Sequence, residues 1–301
     1  MSPDSQNLCG ILLLDKPLGL SSNGALQRVR YLLGRPKAGH TGSLDPLATG
    51  MLPICIGEAT KLAGALLAGI KGYSVKMRLG ERTDTGDAEG TIVERTALPV
   101  LEPGRIESVF AAHRGRQSQI PPMYSALKRD GQPLYKLARQ GKEVERAPRD
   151  IEIHALELLE FTPDSLRARV TCSKGTYIRT LVEQLGVALG SCAHVIALRR
   201  DFVEPFRESP MLTLAQLEAL KEPPPLLDAD LAVGHLPALK LSASQARAIS
   251  YGQEIVAADA QPGELRLYGA TGLFLGLGKA LEGGIVRSSR LFAAAIDQCR
   301  N

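Results

Sequence analysis

The sequence predicts an α+β fold: a mixed, largely antiparallel sheet with flanking helices, followed by a small β-barrel-like module. Three observations carry this. Tyr73–Leu79 and Ser165–Cys172 alternate apolar and polar residues, the period of a strand with one solvated face. Ser22–Leu33 instead repeats Leu26, Val29 and Leu33 at helical spacing. Beyond residue 237 the chain breaks into short apolar runs separated by glycines, a pattern that suits a small barrel.

Taken in order, Gly10–Leu14 reads as a short buried strand. The helix at Ser22–Leu33 has Ser21 or Ser22 to cap it and Gly34 to end it. In the next strand Tyr73, Val75, Met77 and Leu79 share one face, and Ser74, Lys76 and Arg78 the other. Leu166, Ala168, Val170 and Cys172 face inward from the later strand, with Arg167 and Arg169 outward. Thr176–Leu189 reads as the helix behind it. Strands with one solvated face point to an antiparallel or mixed sheet covered by helices. Pro223, Pro224 and Pro225 cannot sit in a helix or central strand and favour a stiff extended connector. The expected division is therefore a body over 1–222, a Pro-rich linker over 223–237 and a module over 238–301, whose short apolar runs include Leu265–Tyr268 and Leu273–Leu277.

The 301 residues are 44% hydrophobic and 23% charged, which excludes a disordered, collagen-like or coiled-coil chain. No apolar stretch approaches the roughly 20 residues that span a bilayer. No basic region precedes Ile11–Leu14, so no signal peptide is expected. Five cysteines, widely spaced and without a CxxC, argue for reduced thiols in the cytoplasm and against a structural zinc. Residues 1–200 carry 27 Lys and Arg against 20 Asp and Glu, whereas residues 201–301 carry 9 against 12. A polyanion would be drawn to the first two-thirds.

The segment richest in chemical signals is Ala38–Pro53. Gly39, Gly42 and Gly50 permit unusual backbone angles or close approach, and Pro46 biases Asp45 away from the α region, so the carboxylate sits on a presented loop. An Asp-Pro turn satisfying its own backbone is the alternative reading. Other signatures fail: Gly278-Lys279 lacks P-loop spacing, no HExxH or GxSxG occurs, and Cys192 with His194 is too little for a metal site.

Gly39–Pro53 resembles the catalytic loop of the bacterial tRNA pseudouridine-55 synthase family. Further stretches agree in order: Leu14–Pro17 with Ser21–Asn23, Gly57–Lys61, Arg82–Ala88, Pro121–Lys128, Ser173–Thr180 and Ala193–Arg200. The resemblance runs over about residues 8–200 and is loose after 237, where the tail is similar to a small RNA-binding (PUA-like) module.

That resemblance implies isomerisation of uridine 55 in the tRNA T arm. The N1–C1′ bond breaks, the uracil turns, and C5 rejoins C1′; no redox change occurs and no group leaves, so neither cofactor nor metal is required. Asp45 matches the essential carboxylate, which either attacks C1′ or removes the 2′ proton to give a glycal, the route preferred here. Arg179 matches its arginine partner, expected to orient it and lower its pKa. Tyr73 matches the tyrosine that stacks on the base; otherwise it is a core residue opening a strand. Tyr177 and Leu198 match the uracil pocket, and Asp87 a pocket acid. His40 matches a histidine that fills the space left by flipped nucleotides, since a uridine in a folded arm must be extruded before chemistry. Lys16, Lys61, Lys128, Lys174, Arg199 and Arg200 are candidate phosphate contacts or, read singly, solvated charges. The resemblance further implies a cytoplasmic monomer acting on tRNA with no obligatory protein partner and no membrane. Three rivals stand beside it: an RNA-guided synthase, a non-enzymatic RNA-binding or RNA-folding protein, and a nucleoside hydrolase.

Overall fold

A computed structural model describes residues 8–125, 127–129 and 131–300; Ala126, within the Pro121–Lys128 motif, lies outside the described residues. The body runs β1 (Gly10–Lys16), α1 (Ser22–Leu32), β2 (Ala38–His40), β3 (Ala48–Ile56), α2 (Ala63–Ala68), β4 (Lys71–Leu79), the ribbon β5 (Glu81–Thr83) and β6 (Ile92–Arg95), and α3 (Pro103–Ala112). It continues with β7 (Gly115–Gln119), the small hairpin β8 (Lys128–Arg129) and β9 (Gln132–Pro133), α4 (Leu134–Ala138), β10 (Arg149–Thr162), β11 (Ser165–Cys172), α5 (Ile178–Ala188), β12 (Ala193–Val203) and α6 (Leu214–Ala219).

Eight of these strands form one sheet in the order β1-β3-β12-β4-β11-β10-β7, with β2 added beside β3. Only β12 against β3 is parallel; the other pairings are antiparallel, as the one-face alternation of β4 and β11 requires. In β4 the residues Tyr73, Val75, Met77 and Leu79 are buried, while Arg78 is exposed. Their buried face meets α3 and α5 through Ile106, Phe110, Leu181, Val182 and Leu185.

The start of α1 divides the two candidate caps. Ser21 accepts from the Gly24 N–H at 3.0 Å and caps the helix, whereas Ser22 is buried and bonds elsewhere. α5 begins at Ile178, two residues later than expected: Tyr177 keeps an extended backbone (φ −99, ψ 109), and its N–H donates to Gln119 Oε1 at 2.8 Å.

The C-terminal module contains β13 (Ala238–Lys240), α7 (Ala243–Ser250), β14 (Ile255–Val256), β15 (Gly263–Tyr268), β16 (Phe274–Ala280), β17 (Ile285–Leu291) and α8 (Ala293–Arg300). Its five strands form a second sheet in the order β13-β15-β16-β17-β14. The segment 223–237 differs from an extended connector. Leu227 exchanges two 2.9 Å backbone hydrogen bonds with Ile11, covering the open edge of β1. Ala229, Ala232 and Val233 form part of one apolar core with Ile11, Leu13 and Met51 of the body and Leu241, Leu267 and Phe292 of the module. The prolines stop helix and strand locally, but the apolar residues after them still find a face to cover.

Candidate active site

Asp45 lies between β2 and β3. Both β2 and β12 use the same edge of β3, β2 opposite residues 54–56 and β12 opposite residues 48–50. The chain between them leaves the sheet as a loop, and that loop is fixed from below. Ser22 Oγ accepts from the Leu44 N–H at 2.6 Å and donates back to the Leu44 carbonyl at 3.0 Å. The Gly19 N–H reaches the Pro46 carbonyl at 2.9 Å. Lys16, fully buried, donates to the carbonyls of Pro17 at 2.9 Å, Leu20 at 2.5 Å and Pro46 at 3.4 Å. Gly50 closes the loop: at φ +96 it lies so near β12 that a Cβ would stand 2.2 Å from the Arg200 carbonyl oxygen. Ser22→Ala would strand a buried N–H and is expected to cost about 1–3 kcal/mol. The checks are a lower urea midpoint and a lower single-turnover rate.

Above this base the Asp45 carboxylate meets Arg179, at the first turn of α5, with Nε to Oδ2 at 3.0 Å. The two side chains differ in exposure, 41% for Asp45 and 7% for Arg179, so the carboxylate faces the cleft and the guanidinium backs it. Arg179 also donates from Nη1 to the Thr85 carbonyl at 2.7 Å and from Nη2 to the Tyr124 carbonyl at 2.6 Å, with Asp87 Oδ2 at 3.8 Å from Nη1. Such a fork has little freedom to rotate. Asp87 is itself held by Thr85 Oγ1 at 2.7 Å and the Glu89 N–H at 3.1 Å. Desolvation in the concave cleft pushes the Asp45 carboxyl above the usual carboxylate range. Arg179 and Lys16 oppose that rise and Asp87 adds to it. The arginine does lower this pKa, as expected, but removal from water outweighs the pairing and the net direction is upward.

The pair stands between two cavities that share Ser43, Leu44, Asp45, Ser125 and Arg179. The inner cavity, about 370 Å³, is walled by Tyr73, Tyr177 and Leu198, with Lys71 and Arg200 also lining it. The outer, about 700 Å³, includes His40, Asp87, Tyr124, Tyr135 and Arg139. Tyr73 is buried, and burial raises its phenol pKa while the Arg200 charge opposes the rise. Tyr177 is raised likewise by burial. Burial and then the Arg200 charge hold His40 below its ordinary value, and its Nδ1 has no hydrogen-bond partner among the described residues. The sheet thus brings Asp45, Arg179, Tyr73, Tyr177, Leu198, His40 and Asp87 together from five separate stretches of sequence.

The basic residues divide differently from expectation. Lys174 and Lys128 are exposed. Lys16 is buried among carbonyls under the loop and is not placed to meet a phosphate. Lys61 donates to Glu58 at 2.5 Å and to the Leu291 carbonyl at 2.7 Å, so it ties the body to the C-terminal module. Arg199 is paired with Asp15 through two bonds of 3.0 and 2.8 Å. Arg200 is 1% exposed and donates to the carbonyls of Met51 at 2.7 Å and Gly42 at 3.1 Å. Sequence patterns missed Lys71 and Arg139. Lys71 was findable, since it precedes Tyr73 by two residues and a strand puts both on one face.

Three family domains match almost end to end: the TruB family pseudouridylate synthase N-terminal domain at residues 30–178, the tRNA pseudouridylate synthase B C-terminal domain at 179–228, and the pseudouridine synthase II TruB C-terminal domain at 237–292. The tRNA pseudouridine synthase B of Pseudomonas fluorescens (strain Pf0-1) is 49% identical over 294 residues, covering 95% of this chain and 96% of its own. That of Aromatoleum aromaticum is 50% identical over 285 residues, covering 94% and 92%. Among solved structures, a chain from a Cbf5–Nop10–Gar1 complex superposes with a TM-score of 0.68 at 26% identity, over 91% of this chain and 79% of that one. A chain from an H/ACA RNP bound to a substrate RNA containing 2′-deoxyuridine shares the fold, with a TM-score of 0.69 at 24% identity over 94% and 84%. On a mixed sheet that holds a carboxylate and a guanidinium between two cavities, these domains and relatives coincide, and the chain belongs to the TruB family of pseudouridylate synthases.

Proposed function

We propose that this enzyme isomerises uridine 55 in the T arm of tRNA to pseudouridine, with Asp45 as the essential carboxylate. The observation that carries the reading is the Asp45–Arg179 pair, half-exposed on the cleft side and clamped on the other, at the junction of an inner and an outer cavity. A base turned out of the arm enters the inner cavity against Tyr73, Tyr177 and Leu198, which places its ribose over Asp45. The carboxylate then attacks C1′ or removes the 2′ proton, and either route needs it ionised and still. Arg179 serves both needs. His40 and Asp87 border the outer cavity, where neighbouring nucleotides would lie. Exposed Arg116, Lys128, Arg139 and Lys174 supply phosphate contacts. The enzyme acts as a monomer on tRNA, without a protein partner, in the cytoplasm; no helix among the described residues is long and apolar enough to cross a membrane.

The test incubates purified protein with an unmodified tRNA transcript and maps pseudouridine by carbodiimide labelling and primer extension. A stop at position 55 is the expected outcome. Tight binding with no stop would favour a guided enzyme or a binding protein, and release of free uracil a hydrolase. Affinity should fall about 10²-fold between 50 and 200 mM salt if roughly four phosphates are neutralised. A flat dependence would remove the basic rim from the account.

A further inference from the structure

The floor of the inner cavity holds two buried cations that the reaction described above does not use. Lys71 and Tyr73 lie two residues apart on β4 and so project from the same face, and Arg200 is opposite Tyr73 in the β12–β4 register. All three line the inner cavity with Asp45. The two cations also crowd the Asp45 loop: a Cβ on Gly42 would meet Arg200 Nη1 at 3.4 Å and Lys71 Cε at 3.8 Å. Lys71 is 7% exposed and gives two bonds to carbonyls, of Leu67 at 3.1 Å and Gly69 at 2.6 Å. Among the described residues neither Lys71 nor Arg200 forms an ion pair with a carboxylate; the site's acid, Asp45, is paired to Arg179 instead. A cavity wall that keeps positive charge with no anion of its own is built for an anion that arrives or forms there.

We propose that Lys71, backed by Arg200, stabilises the negative charge that develops on the uracil when it separates from the ribose. The inference rests on the proposed uridine isomerisation and names a further catalytic residue for it. On either route the N1–C1′ bond breaks with its electron pair on the base, leaving a uracil anion with charge spread over N1, O2 and O4. After the ring turns, C5 bonds to C1′, displacing the Asp45 carboxylate on the attack route or with the 2′ proton returned to C2′ on the glycal route; the C5 proton is released and N1 takes one up, so the product is an isomer of the substrate. Charge exists on the base only between these steps. A cation fixed in a water-poor pocket therefore favours the transition state over bound uridine, and its removal lowers the rate on the order of 10²–10³-fold.

The experiment compares wild type, Lys71→Met and Lys71→Arg in single turnover on tRNA carrying uridine or 5-fluorouridine at the target position. The fluorine makes the base a more acidic leaving group that needs less help. Lys71→Met should lose about 10²-fold on uridine and about 10-fold or less on 5-fluorouridine, followed as consumption of the parent nucleoside. A purely structural lysine would give equal losses on the two substrates, and that result overturns the assignment. A second reading uses pH. Burial, then the Arg200 charge, brings Lys71 down to about 8; Cys172 and Lys174 also act on it, and Asp45, Tyr73 and Arg179 share its cavity. At subsaturating RNA the wild-type rate should fall as pH rises through about 8. Lys71→Arg, charged throughout, should remove that fall. If Lys71→Met does not fold, an unchanged alkaline fall in Lys71→Arg overturns the assignment by itself. A wild type that makes no pseudouridine at neutral pH instead overturns the functional reading beneath it.

Discussion

Asp45→Asn is expected to abolish pseudouridine formation, by on the order of 10⁴-fold or more, while leaving tRNA affinity within a factor of about three. The geometry gives both halves. An amide has nearly the size of the carboxylate, and the loop that carries it is held by backbone bonds through Ser22, Gly19 and Lys16 that do not involve the Asp45 side chain. Arg179 also stays anchored by the carbonyls of Thr85 and Tyr124. The cleft therefore keeps its shape, and affinity, set by phosphate contacts on the rim, is retained. What disappears is the carboxylate, the one acidic group among the described residues that lines both cavities. Filter binding and carbodiimide mapping on the same protein preparation read the two quantities separately. Turnover above about 1% of wild type would remove Asp45 from the mechanism.

The second large effect belongs to Arg179. Arg179→Lys keeps a positive charge but loses the planar fork, and an ammonium on a flexible stem cannot hold Asp45 Oδ2 and two carbonyls at once. The single-turnover rate should fall about 10²–10³-fold with the protein still folded. Its pH dependence distinguishes this from a loss of packing. Desolvation already raises the Asp45 pKa, and Arg179 is the largest influence opposing it. Weakening that influence raises the pKa further, so the ionised carboxylate persists only at higher pH. The acidic limb of the rate profile should move upward in Arg179→Lys and further upward in Arg179→Met. Arg179→Met also leaves the buried Asp87 carboxylate without its nearby cation, and loses stability on the order of 3–5 kcal/mol. An acidic limb that stays in place in Arg179→Lys would show that the arginine does not set the charge state of Asp45.

Several features were legible in the chain itself. The strand at Ser165–Cys172 was bounded residue for residue, because strict alternation there is broken at each end by turn-forming residues. The strand around Tyr73 was found at its C-terminal end but not its start, since Lys71 and Gly72 interrupt the apolar period although both are buried. The order of motifs from Leu14 to Arg200 marked Asp45, Arg179 and Tyr73, because a loop that must present a carboxylate needs glycine and proline at fixed places. Charge was the less reliable guide. Lys16, Lys61 and Arg200 looked like surface cations, but each also donates to a backbone carbonyl distant in sequence, of Pro46, Leu291 and Met51 respectively. No local pattern reports which carbonyls will be left unpaired at a loop base.

By itself, then, the sequence determined the periodic elements, the loop chemistry around Asp45 and the family, since these depend on residues close together along the chain. Only the tertiary structure decided three further matters: the merging of residues 229–233 into a core shared with the C-terminal module, the net rise of the Asp45 pKa, and the cationic floor of Lys71 and Arg200. Each depends on how much water is excluded by segments more than 100 residues apart. Desolvation is a property of the packed assembly of those segments, and no one of them carries it alone.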